Sequence, residues 1–169
     1  MYAKGDYIFH ENNGVCRVED ISEIAMAGRG SEKLYYTLLP NLEKKSVVYT
    51  LVESPRSKVR DIMTEEQLKE LLDTIPDIEI KWEKNDKIRI QYYKDSVTSA
   101  DPSKLLEVLK TVYYGNQMRI KAGKKILTAD DRYYQIAGKK LFDEISFVFH
   151  LDMKEAEKMV EDALRDCME

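Results

Sequence analysis

A chain of 169 residues with 34% charged and 43% hydrophobic side chains can build one substantial core or two small ones and is too apolar to be disordered. No apolar run approaches the length of a bilayer span, and Lys4, Asp6 and Glu11 occupy the region where a secretory leader needs apolar residues, so a cytoplasmic protein is expected. A net charge of −4 argues against a protein that coats DNA.

That charge is unevenly spread. Residues 1–83 carry 11 basic and 16 acidic side chains, residues 84–140 carry 13 and 6, and residues 141–169 carry 3 and 9. A basic block between acidic ends fits either an electrostatic footprint for phosphates or a lysine-rich solvated helix surface. The two cysteines, Cys16 and Cys167, lie at opposite ends of the chain. They form neither a metal knuckle nor a redox CxxC pair, and they suit a reducing compartment.

In chain order, the first signals are β. Two β-prone runs, Tyr7-Ile8-Phe9 and Val15 to Ile21, flank an Asn12-Asn13-Gly14 turn that supplies a positive φ. Lys33–Leu39 and Ser46–Val52 follow, rich in Tyr, Val, Leu and Thr and separated by turn residues at Gly28-Arg29-Gly30 and Pro40-Asn41. Short strands with brief turns predict a five-stranded SH3- or Tudor-like barrel over residues 1–53, followed by a connector over 54–63 that includes an exit loop, Ser54-Pro55-Arg56-Ser57.

The rest, 64–169, reads as helical, so the expected class is α+β. Thr64-Glu65-Glu66-Gln67 is a capping box before Leu68, Leu71, Leu72 and Ile75. Asp101-Pro102 opens a helix with the stripe Leu105, Leu106, Leu109, Val112 and Tyr113. Thr128-Ala129-Asp130-Asp131 opens another, through Tyr134, Ala137, Leu141, Ile145 and Val148. Asp152 with Glu155 opens a last one, through Ala156, Val160, Ala163, Leu164 and Cys167. Only the segment around 84–95 is ambiguous: Lys87-Ile88-Arg89-Ile90-Gln91-Tyr92 alternates as a strand would, in the middle of helices.

The opening Gly5-Asp6, the turn glycine Gly14 and the strand Val18 to Ile21 resemble the start of the CarD family of bacterial transcription regulators. The resemblance continues through Val59-Arg60-Asp61-Ile62, the lone Trp82, Arg89, Ser99-Ala100-Asp101, the leucine-rich helix and Lys124-Lys125-Ile126-Leu127-Thr128. It favours a helix over the ambiguous segment. It implies a barrel that grips the β subunit of RNA polymerase, and a helical domain whose tryptophan wedges into the minor groove at the upstream edge of the melted promoter.

On that resemblance Trp82 is the expected DNA wedge, since an indole on a base step is worth roughly 1–3 kcal/mol. The competing reading is a Trp half buried between helices. Lys84, Lys87, Arg89, Arg119, Lys121, Lys124 and Lys125 are the expected phosphate contacts. Relatives carry arginines on two barrel strands where this chain has Ile24 and Tyr49, and often a proline where it has Leu51. The expected polymerase face is therefore Ile24, Val48, Tyr49 and Leu51, with Arg29 in a nearby loop supplying charge.

No phosphate loop, dinucleotide fingerprint or nucleophile elbow is present, and His10 and His150 have no cysteine or carboxylate at ligand spacing. His10 reads as a barrel-edge side chain, and Tyr133, Tyr134, Phe142, Phe147 and Phe149 as core. No enzymatic activity, cofactor or metal is expected. The reading is a monomeric regulator that docks on the polymerase β subunit and stabilises the open promoter complex through weak, sequence-independent contact with double-stranded DNA. The alternative is a two-domain protein-interaction adaptor that does not touch DNA.

Overall fold

The first hairpin follows from one glycine. Strand β1 (Tyr7–His10) reverses through Glu11–Asn13, and Gly14 takes up φ +69° as it opens β2 (Gly14–Ile24). That conformation costs a side-chain-bearing residue about 1 kcal/mol or more. In this computed structural model, which describes residues 1–56 and 59–169, β2 pairs antiparallel with both β1 and β3 (Lys33–Pro40). A register shift between Val18 and Asp20 marks a bulge in β2 at Glu19. Strand β4 (Val48–Leu51) adds to β3, and β5 (Val59–Asp61) adds to the far side of β1.

The result is a five-stranded antiparallel sheet in the order β4-β3-β2-β1-β5, with β4 and β5 at its edges. Ile8, Cys16, Val18, Tyr36 and Leu38 form its core, with Tyr2, Ile21, Val48, Val52 and Val59 packed around them. The chain divides at Ile62/Met63, and β5 lies inside the expected connector. A three-residue strand shows no alternation in sequence; it is defined by pairing Ile8 with Asp61 and His10 with Val59. Because β5 flanks β1, His10 is a buried interior residue, not an edge one, and its Nδ1 accepts from the Asn12 amide at 3.2 Å. Ser57 of the expected exit loop lies outside the described residues.

Five helices make up the second unit: α1 (Glu65–Asp73), α2 (Asp86–Val97), α3 (Pro102–Lys121), α4 (Thr128–Phe149) and α5 (Met153–Asp166). Thr64 with Gln67 and Asp152 with Glu155 form reciprocal capping boxes. Asp101 caps α3 by accepting from the Ser103 amide, and Asn85 caps α2 by accepting from Ile88. Helix α4 packs on α3 and α5, and α2 on α3 and α4. Leu105, Leu106, Leu109 and Val112 of α3, Ala137, Leu141 and Ile145 of α4, and Ala156, Val160 and Leu164 of α5 are buried. Tyr134 and Phe142 are buried as well, whereas Tyr133, Phe147 and Phe149 are half-buried.

Helix α2 resolves the ambiguous segment, and in an inverted sense. Its buried positions are Arg89, Tyr93, Ser96 and Val97, a helical period, whereas Ile88 is 58% exposed. The alternation that imitated a strand comes from Ile88, which faces water, and Ile90, which is half-buried.

Between α1 and α2 the chain runs through a 3-10 turn (Ile75–Asp77) and then without regular structure to Asn85. A lysine holds it. The buried Lys110 of α3 donates its Nζ to the carbonyls of Ile75, Pro76 and Ile78 at 2.6, 3.1 and 2.8 Å. Lys110→Met strands those acceptors and is expected to cost roughly 2–4 kcal/mol. Urea unfolding followed by the fluorescence of Trp82, the chain's only tryptophan, measures the loss in the helical unit. An unchanged midpoint would show that the carbonyls are hydrated equally well without the lysine.

Candidate polymerase and nucleic-acid interfaces

In the N-terminal unit the ladder pairings decide which expected residues share a face. Opposite residues on neighbouring strands point the same way, and successive ones alternate. Tyr35 pairs with Leu51 on one side and Ser22 on the other; Thr37 pairs with Tyr49, and Lys33 with Ile24. Ile24, Tyr49 and Leu51 therefore lie on the outward face together with Tyr35, a residue the sequence reading passed over. Tyr49 is 51% exposed, on edge strand β4. Val48 differs: it pairs with Leu38 and packs against the core, so it belongs to the opposite face. Arg29 is exposed in the loop between β2 and β3.

In the helical unit the central feature is how the segment before α2 presents Trp82. The amide of Lys81 donates to the buried Thr111 Oγ1 at 3.2 Å, and its Nζ donates to Glu107 at 3.3 Å. Burial pushes the Glu107 carboxyl up, but hydrogen bonds from Tyr92 and Lys81 outweigh it and hold the group below its ordinary range. One residue later the indole lies against α3 at Gly115, so closely that a Cβ there would sit 2.0 Å from Trp82 Cζ3. The indole remains half-buried. It borders a pocket of about 280 Å³ lined also by Tyr114, Gly115, Met118, Arg119, Ala122 and Lys124.

The expected basic residues separate into two kinds. Lys84, Lys87, Lys121, Lys124 and Lys125 are exposed. Arg119 is half-buried and ties the turn after α3: its Nε donates to the Lys125 carbonyl at 2.7 Å, and its own carbonyl accepts from the Lys124 amide at 2.8 Å. The pocket thus brings Trp82 together with Arg119 and Lys124, while Lys87 borders a shallower surface with Ile88, Gln91, Tyr92 and Asp95.

Arg89 is not a surface cation. It is 3% exposed, and its Nε and Nη2 donate to the two oxygens of Asp130, each at 2.9 Å. Its Nη1 donates to the Glu83 carbonyl at 2.9 Å and meets Asp86 at the same distance. Burial lowers its pKa, but Asp130 more than restores it, and the guanidinium stays charged. Its Cζ lies 4.6 Å from the Trp82 ring centroid. In a run of basic residues, nothing in sequence sets apart a cation that turns inward to an acid.

Residues 2–63 match the CarD-like/TRCF RID domain, which supports a CarD-like RNA polymerase-interacting domain in the N-terminal unit. The match supports an RNA polymerase-interacting, transcription-associated protein and spans somewhat over a third of the chain. No curated protein matches the chain. Among the described residues, no helix is long and apolar enough to cross a membrane, and no three His, Cys, Asp or Glu side chains gather in a way that could hold a metal ion.

Gly115 was visible in sequence as a lone glycine inside a helical stripe, a pattern that signals a packing reason. Replacing such a glycine with alanine ordinarily stabilises a helix by about 1 kcal/mol. Here the new methyl meets the indole, so Gly115→Ala is expected to destabilise the helical unit by about 1–3 kcal/mol and to shift Trp82 emission to the red. Stabilisation with unchanged emission would show that the indole does not rest on Gly115.

Proposed function

We propose that this protein is a transcription regulator that docks on the RNA polymerase β subunit through the outward face of its N-terminal sheet. It stabilises the open promoter complex by resting Trp82 and neighbouring lysines on DNA at the upstream edge of the bubble. Half-burial alone fits the competing reading as well; the observation that carries this one is the pocket in which the Trp82 ring, resting on Gly115, borders the basic turn of Arg119 and Lys124. An indole held in one orientation can stack on a distorted base step, and cations beside it can meet the flanking phosphates. The role is binding without catalysis, performed as a monomer, in the cytoplasm, on double-stranded DNA and with no cofactor.

Docking rests on apolar contact, since Ile24, Tyr35, Tyr49 and Leu51 stand on the face where charge was expected from the resemblance. Tyr49→Asp puts an unpaired charge into that contact and is expected to weaken polymerase binding at least tenfold, corresponding to about 1.4 kcal/mol or more. Retained affinity in a folded variant would move docking to another face.

Trp82→Ala tests the wedge. For a half-buried ring the stability cost is expected near 1–2 kcal/mol, below the 3–5 of a fully buried Trp, while the open complex decays faster. An unchanged lifetime with a variant that still binds polymerase favours the adaptor reading, in which Trp82 serves only to pack the segment on α3. Lys84→Glu combined with Lys87→Glu is expected to weaken DNA association equally for all sequences and to lower its salt dependence, as phosphate contacts require. A sequence-selective loss would contradict the positioning role.

A further inference from the structure

Sequence reasoning takes Arg89 as a phosphate contact, but its guanidinium is spent inside the unit. Three of its nitrogens donate to Asp130 and Glu83, and its Cζ lies over the Trp82 ring, 4.6 Å from the centroid. Asp130, in the first turn of α4, is wholly buried and receives a third hydrogen bond, from Tyr93 at 2.9 Å. The two Asp130 bonds form a planar fork that fixes the guanidinium plane, and a fixed plane can hold an aromatic face in register. Arg89 lies over the ring but does not line the pocket that Trp82 borders with Tyr114, Gly115 and Arg119.

We infer that Arg89, locked by Asp130, is the positioning residue that sets the orientation of the Trp82 indole and leaves its pocket side free for a partner. This rests on the reading of Trp82 as the group presented to DNA. Gly115 supplies the floor on which the ring lies, and the guanidinium plane, fixed by the Asp130 fork, holds it there. The Glu83 carbonyl, next in chain to Trp82, ties the backbone to the same guanidinium and restricts the rotation left to the side chain.

Because Trp82 is the only tryptophan in the chain, its fluorescence reports this one ring. Arg89→Met alone would leave Asp130 buried and unpaired, so it is paired with Asp130→Asn, which still accepts from Tyr93. The full-length double variant is expected to keep its helical circular dichroism. Its acrylamide quenching constant is expected to rise about two- to fivefold and its anisotropy to fall, the change that loss of one cation–π contact implies. A folded double variant with wild-type quenching and anisotropy would overturn the inference. Should the double variant not fold, Arg89→Lys, which keeps the charge and loses the fork, decides by the same criterion. Open-complex lifetimes on the same proteins separate the two ideas. Altered quenching with a lifetime insensitive to Trp82→Ala sinks the wedge and leaves the positioning intact. Unaltered quenching with a lifetime that depends on Trp82 does the reverse.

Discussion

A single buried carboxylate organises the helical unit. Asp130 sits without solvent exposure in the first turn of α4, where the helix dipole favours a negative charge but cannot by itself replace water. Both its oxygens are taken, by the Arg89 fork and by the Tyr93 hydroxyl. Burial, reinforced by the charge of Asp130, pushes the Tyr93 phenol well above its ordinary range, so the hydroxyl keeps the proton it donates. Arg89 and Tyr93 are four residues apart: a helix sets them side by side, about 6 Å from each other, whereas a strand would hold them about 13 Å apart, too far to meet one carboxylate. Satisfying Asp130 therefore requires α2 to be a helix. Buried ion pairs add little net stability over apolar packing, because desolvation consumes most of the attraction. What this one contributes is a defined arrangement, since a displaced Arg89 would leave a bare charge in the core.

From there the constraint passes outward. The guanidinium has one nitrogen left for the Glu83 carbonyl and one face left for Trp82, so the core pair reaches the surface in a single side chain. Lys110 fixes the start of the same segment, through the carbonyls of Ile75, Pro76 and Ile78, and Thr111 fixes its middle at the Lys81 amide. A stretch with no secondary structure is thereby tied at successive points to α2 and α3. The sole tryptophan is thus presented by an anchored segment, although no helix or strand carries it.

What the sequence made legible was local chemistry. Thr64, Asp101 and Asp152 announced their helices because a cap is a relation between residues three or fewer apart. Gly14 announced its turn for the same reason. What residue patterns alone left ambiguous or misplaced involves partners distant in sequence. β5 exists because β1 lies beside it, and its three residues carry no pattern of their own. Helix α2 hides its character because its interior positions are Arg89 and Tyr93 while Ile88 faces water. Val48 was grouped with Tyr49 by proximity in the chain, whereas strand alternation sends the two to opposite faces.

The same inward-facing cations change the charge argument. Of the 13 basic residues in 84–140, Arg89, Lys110 and Lys140 are buried, the last two donating to backbone carbonyls, and Asp130 is buried among the acids. Ten basic side chains then remain at or near the surface against five acidic ones. That excess is too small to hold DNA tightly on its own, since phosphate-driven affinity grows with the number of charges neutralised. Under the proposed reading it need not be larger. A domain docked on polymerase sees nearby DNA at an effective concentration that reaches the millimolar range for short linkers, so weak local contacts suffice. What such contacts cannot afford is the entropy of ordering a loose side chain at the moment of binding. Under the same reading an indole fixed by Gly115 and Arg89 would already have lost that freedom during folding, which would tie the organisation of the helical core to the modest surface charge.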